Sequence, residues 1–428
     1  MQAASKSTAP ATLDFIDPAS PLAADVAEFV KQGISFDANG IEPDEGEFWR
    51  KLCDVETQLW LDTGDIEAIR SLWNRQFTGV TTNNALLNTE IQKQVYEEWI
   101  ASANSLLKTL APEFRIREIG FVLSVRHALR LAEEFRCPIS VELHTDVAQD
   151  VEATLAYARR CHAICPEFFV VKIPLTPAGL IATKRLRSEG LPINCTLGFS
   201  ARQNYIATAV ANPSFVNVFL GRLNAYVVDN GLGDGRLVGE KATIASQSEV
   251  RVFALGLPQA ETRQIAASVR DAHQLPQLAG VDIITMPPQV ARQAREQLRQ
   301  PWQPRVNEDY QVSLSTELDP ETVRLEKLWD VEKHERNFVQ KLILNPPETP
   351  EDFLRAATEY EVRDLFPQWS GEELETIAED GKIPQHQRWS EKIAAGEVAI
   401  DSLLTAAGLA SFAAAQAEVD DRIRQKIA

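Results

Sequence analysis

The stretch FFVVKIPLTPAGL, residues 168–180, has the pattern of a buried β-strand that runs through a turn into a helix. Strands that are apolar on both faces are typical of parallel sheets covered by helices. Lys172 interrupts this apolar run, and a buried ammonium costs free energy unless it pairs with an anion or loses its proton. The stretch therefore predicts either a lysine that reaches water from a strand end or an amine that is required in a dry place.

Seven further apolar segments alternate with helical segments along the chain. Eight strand–helix units favour the α/β class and a (β/α)8 TIM barrel, which takes about 250 residues. A doubly wound sheet is the alternative, but no glycine-rich phosphate loop follows the first strand. The predicted strands are residues 58–62, 79–83, 139–144, 168–174, 192–198, 215–221, 264–270 and 282–288.

The chain divides by pattern into three regions. We expect a partly disordered N-terminal extension over residues 1–56, the barrel over 57–300 and a helical C-terminal region over 301–428. Residues 224–263 exceed an ordinary connection and predict a long loop on the active-site side. The last helix is expected to break at Gly408 and to pack near the barrel mouth.

The composition limits the classes of binding partner and the cellular compartment that we expect. Lys and Arg number 43 against 61 Asp and Glu, a formal charge of -18, which argues against nucleic acid or an anionic membrane as a partner. The five cysteines form no CxxC pair, the N-terminus has no secretory signal, and no apolar run reaches the ~18 residues of a membrane helix. These observations predict a soluble cytoplasmic protein. We expect a monomer or a homodimer, and the composition does not distinguish the two.

Polar side chains lie at or near the ends of seven of the eight predicted strands. Each has an ordinary structural explanation, such as a helix cap, a turn or, for the arginines, an ion pair with Asp271 or Glu240. In a TIM barrel, however, the C-terminal strand ends meet at one mouth. The residues are Asp62, Thr81, Thr82, Asn83, Glu142, Lys172, Asn194, Thr196, Asn217, Arg222, Ser268 and Arg270.

Taken together, this set suits imine chemistry on a phosphorylated sugar. A desolvated lysine near Asp62 is the arrangement for a Schiff-base nucleophile, because the amine must be neutral to attack a ketone. Carboxylates supply proton transfer, and two arginines suit a phosphate. An anionic substrate also needs local cations on so acidic a protein.

Eight sequence words occur in the order found in one enzyme family: LWLDTGDIEAI, GVTTNNALL, SVELH, VVKIPLTPAGL, INCTLGFS, FLGR, AASVR and LAGVDIIT. From about residue 57 to 292 the chain resembles the transaldolases. The resemblance implies a (β/α)8 barrel with a Schiff-base lysine on strand four. It also implies transfer of a dihydroxyacetone unit between sugar phosphates, with no metal or organic cofactor.

The resemblance also implies roles for individual residues. Lys172 falls on the imine lysine and Asp62 on the general acid/base. Glu142 and Thr196 fall on the pair that holds a catalytic water. The positions that bind substrate are Asn83 and Asn194 for donor hydroxyls and Arg222, Ser268 and Arg270 for the phosphate.

Three residues bear on how far the resemblance extends. Asn84 replaces a proline common in the family and predicts a looser loop, and Asn217 stands where many members have a serine that contacts the dihydroxyacetone unit. Phe219 occupies the position of a tyrosine in the related fructose 6-phosphate aldolases, which favours transfer. Three alternatives stay open: an aldolase that releases dihydroxyacetone, a transferase for a specialised sugar, and a catalytically silent barrel that acts as a scaffold.

Overall fold

The computed structural model describes residues 13–37, 40–43, 46–256, 261–299 and 301–428. Its centre is a closed barrel of eight parallel strands, in which each strand pairs with the next and the eighth pairs with the first. This confirms the predicted (β/α)8 barrel. The disorder expected at the N-terminus falls largely on residues 1–12, which lie outside the described residues. The strands are β1 Gln58–Asp62, β2 Phe77–Thr81, β3 Ile139–Glu142, β4 Phe169–Pro174, β5 Ile193–Thr196, β6 Phe215–Phe219, β7 Arg263–Ala267 and β8 Ile283–Met286.

Helices cover the barrel and form the region that follows it, and 3₁₀ helices occupy Thr145–Gln149 and Leu325–Leu328. The α-helices of the described residues are α1 Pro21–Lys31, α2 Glu47–Cys53, α3 Ile66–Arg70, α4 Asn84–Gln92, α5 Glu97–Leu106, α6 Pro112–Phe135, α7 Val151–Ile164, α8 Pro177–Ser188, α9 Ala201–Ala211, α10 Leu220–Asp229, α11 Val238–Gly256, α12 Gln274–Gln277, α13 Pro288–Gln297, α14 Pro320–Val323, α15 Lys333–Leu344, α16 Pro350–Glu359, α17 Gly371–Asp380, α18 His386–Ala394 and α19 Ile400–Ile427.

Strand register places the polar residues of the barrel at one level. Every residue of β4 is buried, as its apolar sequence predicts. Lys172 of β4 pairs with Glu142 of β3 on one side and with Asn194 of β5 on the other. Side chains at paired positions of neighbouring strands point to the same face of the sheet, so these three residues share one layer.

The long loop expected over residues 224–263 is wrong, because most of this segment is helical. Helix α10 begins directly after β6, and α11 occupies Val238–Gly256. Three of the four glycines that suggested a loop lie in the short connection between the two helices, and Gly239 lies in the first turn of α11. In the connection, Gly231 and Gly235 adopt positive φ angles of 66° and 68°, which glycine reaches without steric cost.

The break expected at Gly408 is also wrong, since α19 runs unbroken through it. Gly408 instead permits close packing of α19 on the barrel. A Cβ atom at this position would lie 2.7 Å from Leu197 Cδ2 and 3.2 Å from Arg222 Nη1. The glycine thus brings the C-terminal helix against two residues near the C-terminal ends of the strands.

Polar contacts along its length hold α19 on the barrel. Asn84 Nδ2 donates a 2.8 Å hydrogen bond to Gln416 Oε1, and the Thr405 hydroxyl donates one of 2.8 Å to the Leu197 carbonyl oxygen. The looser loop expected at Asn84 is therefore wrong, because its side chain is buried and joins α4 to α19. By length and composition α19 could cross a membrane, but half of its apolar 18-residue segment is buried in the protein.

A buried charge cluster joins the C-terminal helices to the barrel. Arg202 of α9 lies within 3.0 Å of carboxylate oxygens of Glu335, Asp364 and Asp401. All four side chains are almost fully buried, so removal of one partner would leave uncompensated charge in the interior. The cluster fixes the start of α19 relative to the barrel.

Candidate active site

Lys172 is held inside the barrel, with 3% of its surface exposed. Its Nζ lies 3.2 Å from Glu142 Oε2 and donates a 3.0 Å hydrogen bond to the Thr82 carbonyl oxygen. The ring of Phe412 lies 5.5 Å from the same nitrogen. Of the two explanations that its sequence position left open, the structure matches the amine in a dry place.

Asp62 lies at the end of β1 and lines the same pocket as Lys172. The Thr81 hydroxyl donates a 2.8 Å hydrogen bond to Asp62 Oδ1, and Thr81 Oγ1 lies 2.8 Å from Thr285 Oγ1. Asp62 does not cap the following helix, because Asp65 Oδ1 accepts the hydrogen bond from Ala68 N that caps α3. A cap therefore does not account for the Asp62 carboxylate.

Both carboxyl groups near the lysine have perturbed acidities. Burial raises the pKa of Asp62 above its usual value, opposed by the charge of Lys172 and by the Thr81 hydrogen bond. Burial likewise raises the pKa of Glu142, opposed by the charge of Lys172. Groups whose pKa moves toward neutrality are better suited to take up and release protons during a reaction.

Of the three predicted amide side chains, Asn194 and Asn217 are hydrogen-bonded to each other, and Asn83 and Asn217 line the pocket. Asn217 Nδ2 donates a 2.7 Å hydrogen bond to Asn194 Oδ1, and Asn194 Nδ2 donates one of 2.9 Å to Ser140 Oγ. Asn217 lines the pocket, whereas Asn194 is fully buried behind it. Asn83 also lines the pocket, and its Oδ1 caps α4 by accepting from Leu86 N. The Asn83 side chain is thereby held in place.

Thr196 ends β5 and is fully buried. Its register partner in β4 is Pro174, two residues beyond Lys172. Its Oγ1 has no hydrogen-bond partner among the described residues. A buried hydroxyl usually has a partner, so this oxygen is available to a small molecule that enters the barrel.

Arg222 lies in the first turn of α10, not at the end of β6 as expected, because the strand ends at Phe219. Its guanidinium carbon lies 5.5 Å from the ring of Phe219 and 5.7 Å from that of Phe412. Within the described residues, its Nε and Nη1 have no hydrogen-bond partner. Burial and the charge of Arg270 lower the pKa of Arg222 to about 10.

Ser268 and Arg270 follow β7, which ends at Ala267, so both lie in a loop and not in the strand as expected. Ser268 has a positive φ of 63°, and Arg270 is exposed at the rim. In the described part of the chain, neither Arg222 nor Arg270 forms an ion pair with Asp271 or Glu240. Glu240 accepts instead from two amide side chains, and Asp271 from a backbone N–H and a glutamine amide.

The pocket at the barrel mouth has a volume of about 230 Å³. It includes residues that sequence reasoning missed, notably Lys382 between α17 and α18 and Ser411 and Phe412 of α19. The apolar tail predicted near the mouth was the only signal for Phe412. No motif marks Lys382, which reaches the mouth through tertiary packing alone.

Chemically, the pocket combines the buried Lys172 amine, the Asp62 carboxyl and a cationic rim, with the Glu142 carboxyl beside the lysine. An amine beside a carboxylate in a dry pocket suits attack on a carbonyl. The described residues contain no cluster of His, Cys, Asp and Glu side chains that could hold a metal ion.

Comparison with known proteins identifies the family of the chain. A sequence model described as transaldolase/fructose-6-phosphate aldolase matches residues 59–342. Named relatives are a "Probable transaldolase" of Thermus thermophilus, 34% identical over 240 residues, which are 55% of this chain and 89% of the relative, and another of Kosmotoga olearia, 35% identical over 54% and 84%. A "Transaldolase" of Xanthomonas euvesicatoria is 28% identical over 53% of this chain and 71% of its own length.

The matched family region contains every predicted site residue and all eight strands except the first residue of β1. The resemblance found in the short sequence words is thereby confirmed. The chain belongs to the transaldolase/fructose-6-phosphate aldolase family.

Proposed function

We propose that this protein transfers a dihydroxyacetone unit from a ketose phosphate to an aldose phosphate through a Schiff base on Lys172. The observation that carries the proposal is the buried Lys172 amine, 3.2 Å from Glu142 in a pocket that Asp62 also lines. Because burial raises the pKa of Glu142, this carboxylate is suited to accept a proton from the lysine ammonium.

Imine formation uses the neutral amine. Lys172 Nζ attacks C2 of the ketose, and the carbonyl oxygen becomes the hydroxyl of a carbinolamine. Glu142, through a water shared with the Thr196 hydroxyl, protonates that hydroxyl, which leaves as water as the C2–N double bond forms. The unpartnered Thr196 Oγ1 supports this assignment.

Carbon–carbon cleavage requires a base for the C4 hydroxyl. In the proposal, Asp62 takes that proton, the C3–C4 bond breaks, and C4 becomes the aldehyde of the departing aldose phosphate. The electrons of the broken bond form a C2–C3 double bond while the π electrons of the C2–N bond move to nitrogen, so that the protonated imine becomes an enamine. This enamine retains the three-carbon unit on Lys172.

Transfer runs the same steps in reverse on a second aldehyde. C3 of the enamine attacks the acceptor carbonyl, and Asp62 returns its proton to the new C4 oxygen. Water then attacks C2 of the imine and releases the product ketose and the free amine. Asn83 and Asn217, which line the pocket, and Asn194 behind them would bind the donor hydroxyls. Every step uses protein side chains and water.

The partners, the location and the domain bounds expected from the sequence are also proposals. The charge of -18 argues against nucleic acid or an anionic membrane as a partner, whereas the cationic residues of the pocket support sugar phosphates. We also propose that the protein is a cytoplasmic monomer or homodimer. We also propose residues 57–300 as the catalytic barrel, with 1–56 as an extension and 301–428 as a helical region that completes the mouth.

A steady-state assay tests the function directly. With fructose 6-phosphate as donor and erythrose 4-phosphate as acceptor, we expect release of glyceraldehyde 3-phosphate that depends on the acceptor. Release of free dihydroxyacetone without acceptor would indicate an aldolase instead. No turnover with either arrangement, on folded protein, would contradict the proposal.

Alanine at Arg222 or Arg270 is expected to weaken the use of phosphorylated sugars. Each lost charged hydrogen bond corresponds to about 1.5–3 kcal/mol, with buried Arg222 at the upper end and exposed Arg270 at the lower. Turnover of unphosphorylated dihydroxyacetone and glyceraldehyde should change far less. Equal losses for both kinds of substrate would show that the arginines support the barrel and do not bind phosphate.

Phe412→Ala is expected to raise KM as well as to lower stability. Phe412 is buried beside both Lys172 and Arg222, and loss of a buried phenylalanine costs about 3–5 kcal/mol. Val419→Ala is the matched control, since Val419 is buried on the same helix but does not line the pocket. If both variants lose stability while neither changes KM, α19 has only a structural role.

A further inference from the structure

Lys382 lines the pocket at the barrel mouth together with Arg222 and Arg270. It belongs to the helical region after the barrel, between α17 and α18, and its side chain is exposed. Burial of part of the side chain and the charges of Arg222 and Arg270 lower the pKa of Lys382, so the three cations are close enough to repel one another. Three mutually repelling cations around one cavity are stabilised when an anion binds there.

Hydrogen bonds hold the Lys382 loop on the same helix that carries Arg222. Asn230, at the end of α10, accepts from His386 N at 2.8 Å and donates to the Pro384 carbonyl oxygen at 3.0 Å. The Tyr226 hydroxyl lies 2.7 Å from His386 Nδ1. The position of Lys382 relative to Arg222 is therefore set by α10, and not by a free loop.

The turn before Lys382 depends on Gly381, which has a positive φ of 76°. This conformation lets the chain leave α17 and return toward α10 within a few residues. Lys382 is thus the residue that the turn places at the mouth.

A phosphate monoester carries between one and two negative charges at neutral pH. Arg222 lies deep in the pocket, whereas Arg270 and Lys382 are exposed at its rim. On a protein with a formal charge of -18, cations at the rim also attract an anionic ligand from solution. A third cation therefore affects both how tightly a phosphate is held and how readily it enters.

We propose that Lys382, supplied from outside the barrel, is a third cationic contact for the substrate phosphate beside Arg222 and Arg270. This inference rests on the proposed function as far as the substrate is a sugar phosphate. The phosphate contact itself can be measured without turnover.

The test compares Lys382→Ala, Lys382→Arg and a control, Lys108→Ala, an exposed lysine that does not line the pocket. Binding of inorganic phosphate is measured by calorimetry at low and high salt, and kcat/KM is measured for fructose 6-phosphate and for unphosphorylated dihydroxyacetone. For Lys382→Ala we expect Kd of phosphate and KM of fructose 6-phosphate to rise about tenfold. This is the smallest effect usual for loss of a charged hydrogen bond, and we expect it because water screens the exposed ammonium. Lys382→Arg should stay near wild type because it keeps the charge.

The effect of Lys382→Ala should also shrink at high salt, because the screening length between exposed charges falls to about 3 Å at 1 M salt. Unchanged phosphate affinity in Lys382→Ala, or equal losses for dihydroxyacetone and fructose 6-phosphate, would overturn the inference and leave the transferase proposal intact. If wild type binds phosphate in a Lys382-dependent way but does not turn over sugar phosphates, the phosphate contact stands and the proposed function falls.

Discussion

Lys172→Ala is expected to abolish turnover while the protein stays folded. Without the amine no covalent intermediate can form, and removal of a covalent nucleophile costs on the order of 10⁶ in kcat. The measurement is the steady-state rate with fructose 6-phosphate and erythrose 4-phosphate. Residual transfer within about 10²-fold of wild type would assign Lys172 a supporting role only, as for loss of an acid–base group.

A double variant separates chemistry from folding. Lys172→Ala leaves Glu142 buried without its ion-pair partner, and breaking a buried pair costs about 3–5 kcal/mol unless the remaining group is neutralised. Because burial already raises the pKa of Glu142, protonation should absorb part of this cost. Lys172→Ala combined with Glu142→Gln should therefore unfold at a higher temperature than Lys172→Ala alone, and remain inactive. Recovery of activity in the double variant would contradict the account.

Asp62→Asn is expected to lower turnover by about 10²–10⁴-fold, the usual contribution of a general acid–base group. Imine formation should survive, because the amine and Glu142 are unchanged. The control is Asp65→Asn, which alters a carboxylate three residues away that caps α3 outside the pocket. Asn is also an accepted N-cap residue, so this control should keep both fold and rate.

The stability of Asp62→Asn has a defined sign. The pKa of Asp62 is raised in the folded protein, so the folded state binds the proton more tightly than the unfolded chain. The free energy of unfolding then falls as the pH rises from the usual Asp pKa, about 3.9, through the folded value. At any pH above the folded value wild type carries this full cost, and Asp62→Asn does not. We expect its Tm at pH 7 to equal or exceed that of wild type, with the difference vanishing in acid. A lower Tm at pH 7 would assign Asp62 a structural role.

The barrel was predictable because its signal is local. Strands such as β4 are continuous apolar runs of ordinary length, and eight of them alternate with helices. The wrong predictions of a long loop and of a helix break both concern glycine, which occurs in turns and also at sites of close packing. Gly231 and Gly235 lie in a turn between two helices, whereas Gly408 permits close packing inside a helix. In the sequence alone, both patterns are typical of a helix end.

The strand-end polar residues were predictable from the rule that barrel strands end at one mouth. Arg222, Ser268 and Arg270 do line the pocket, although they lie just beyond their strands. Phe412 and Lys382 could not be assigned in this way. Their positions depend on how helices after the barrel pack on α10 and on the barrel mouth, through pairs such as Asn84–Gln416 and Tyr226–His386. No local pattern encodes such distant contacts.

The assignment of roles to these residues depends on one chemical event, the formation of an imine at Lys172. Wild type, Lys172→Ala and Asp62→Asn are incubated with fructose 6-phosphate and sodium borohydride, and the digested proteins are mapped by mass spectrometry. We expect a reduced adduct on the peptide that contains Lys172 in wild type and in Asp62→Asn, and none in Lys172→Ala. An adduct on another lysine, or trapping that survives Lys172→Ala, would contradict the assignment.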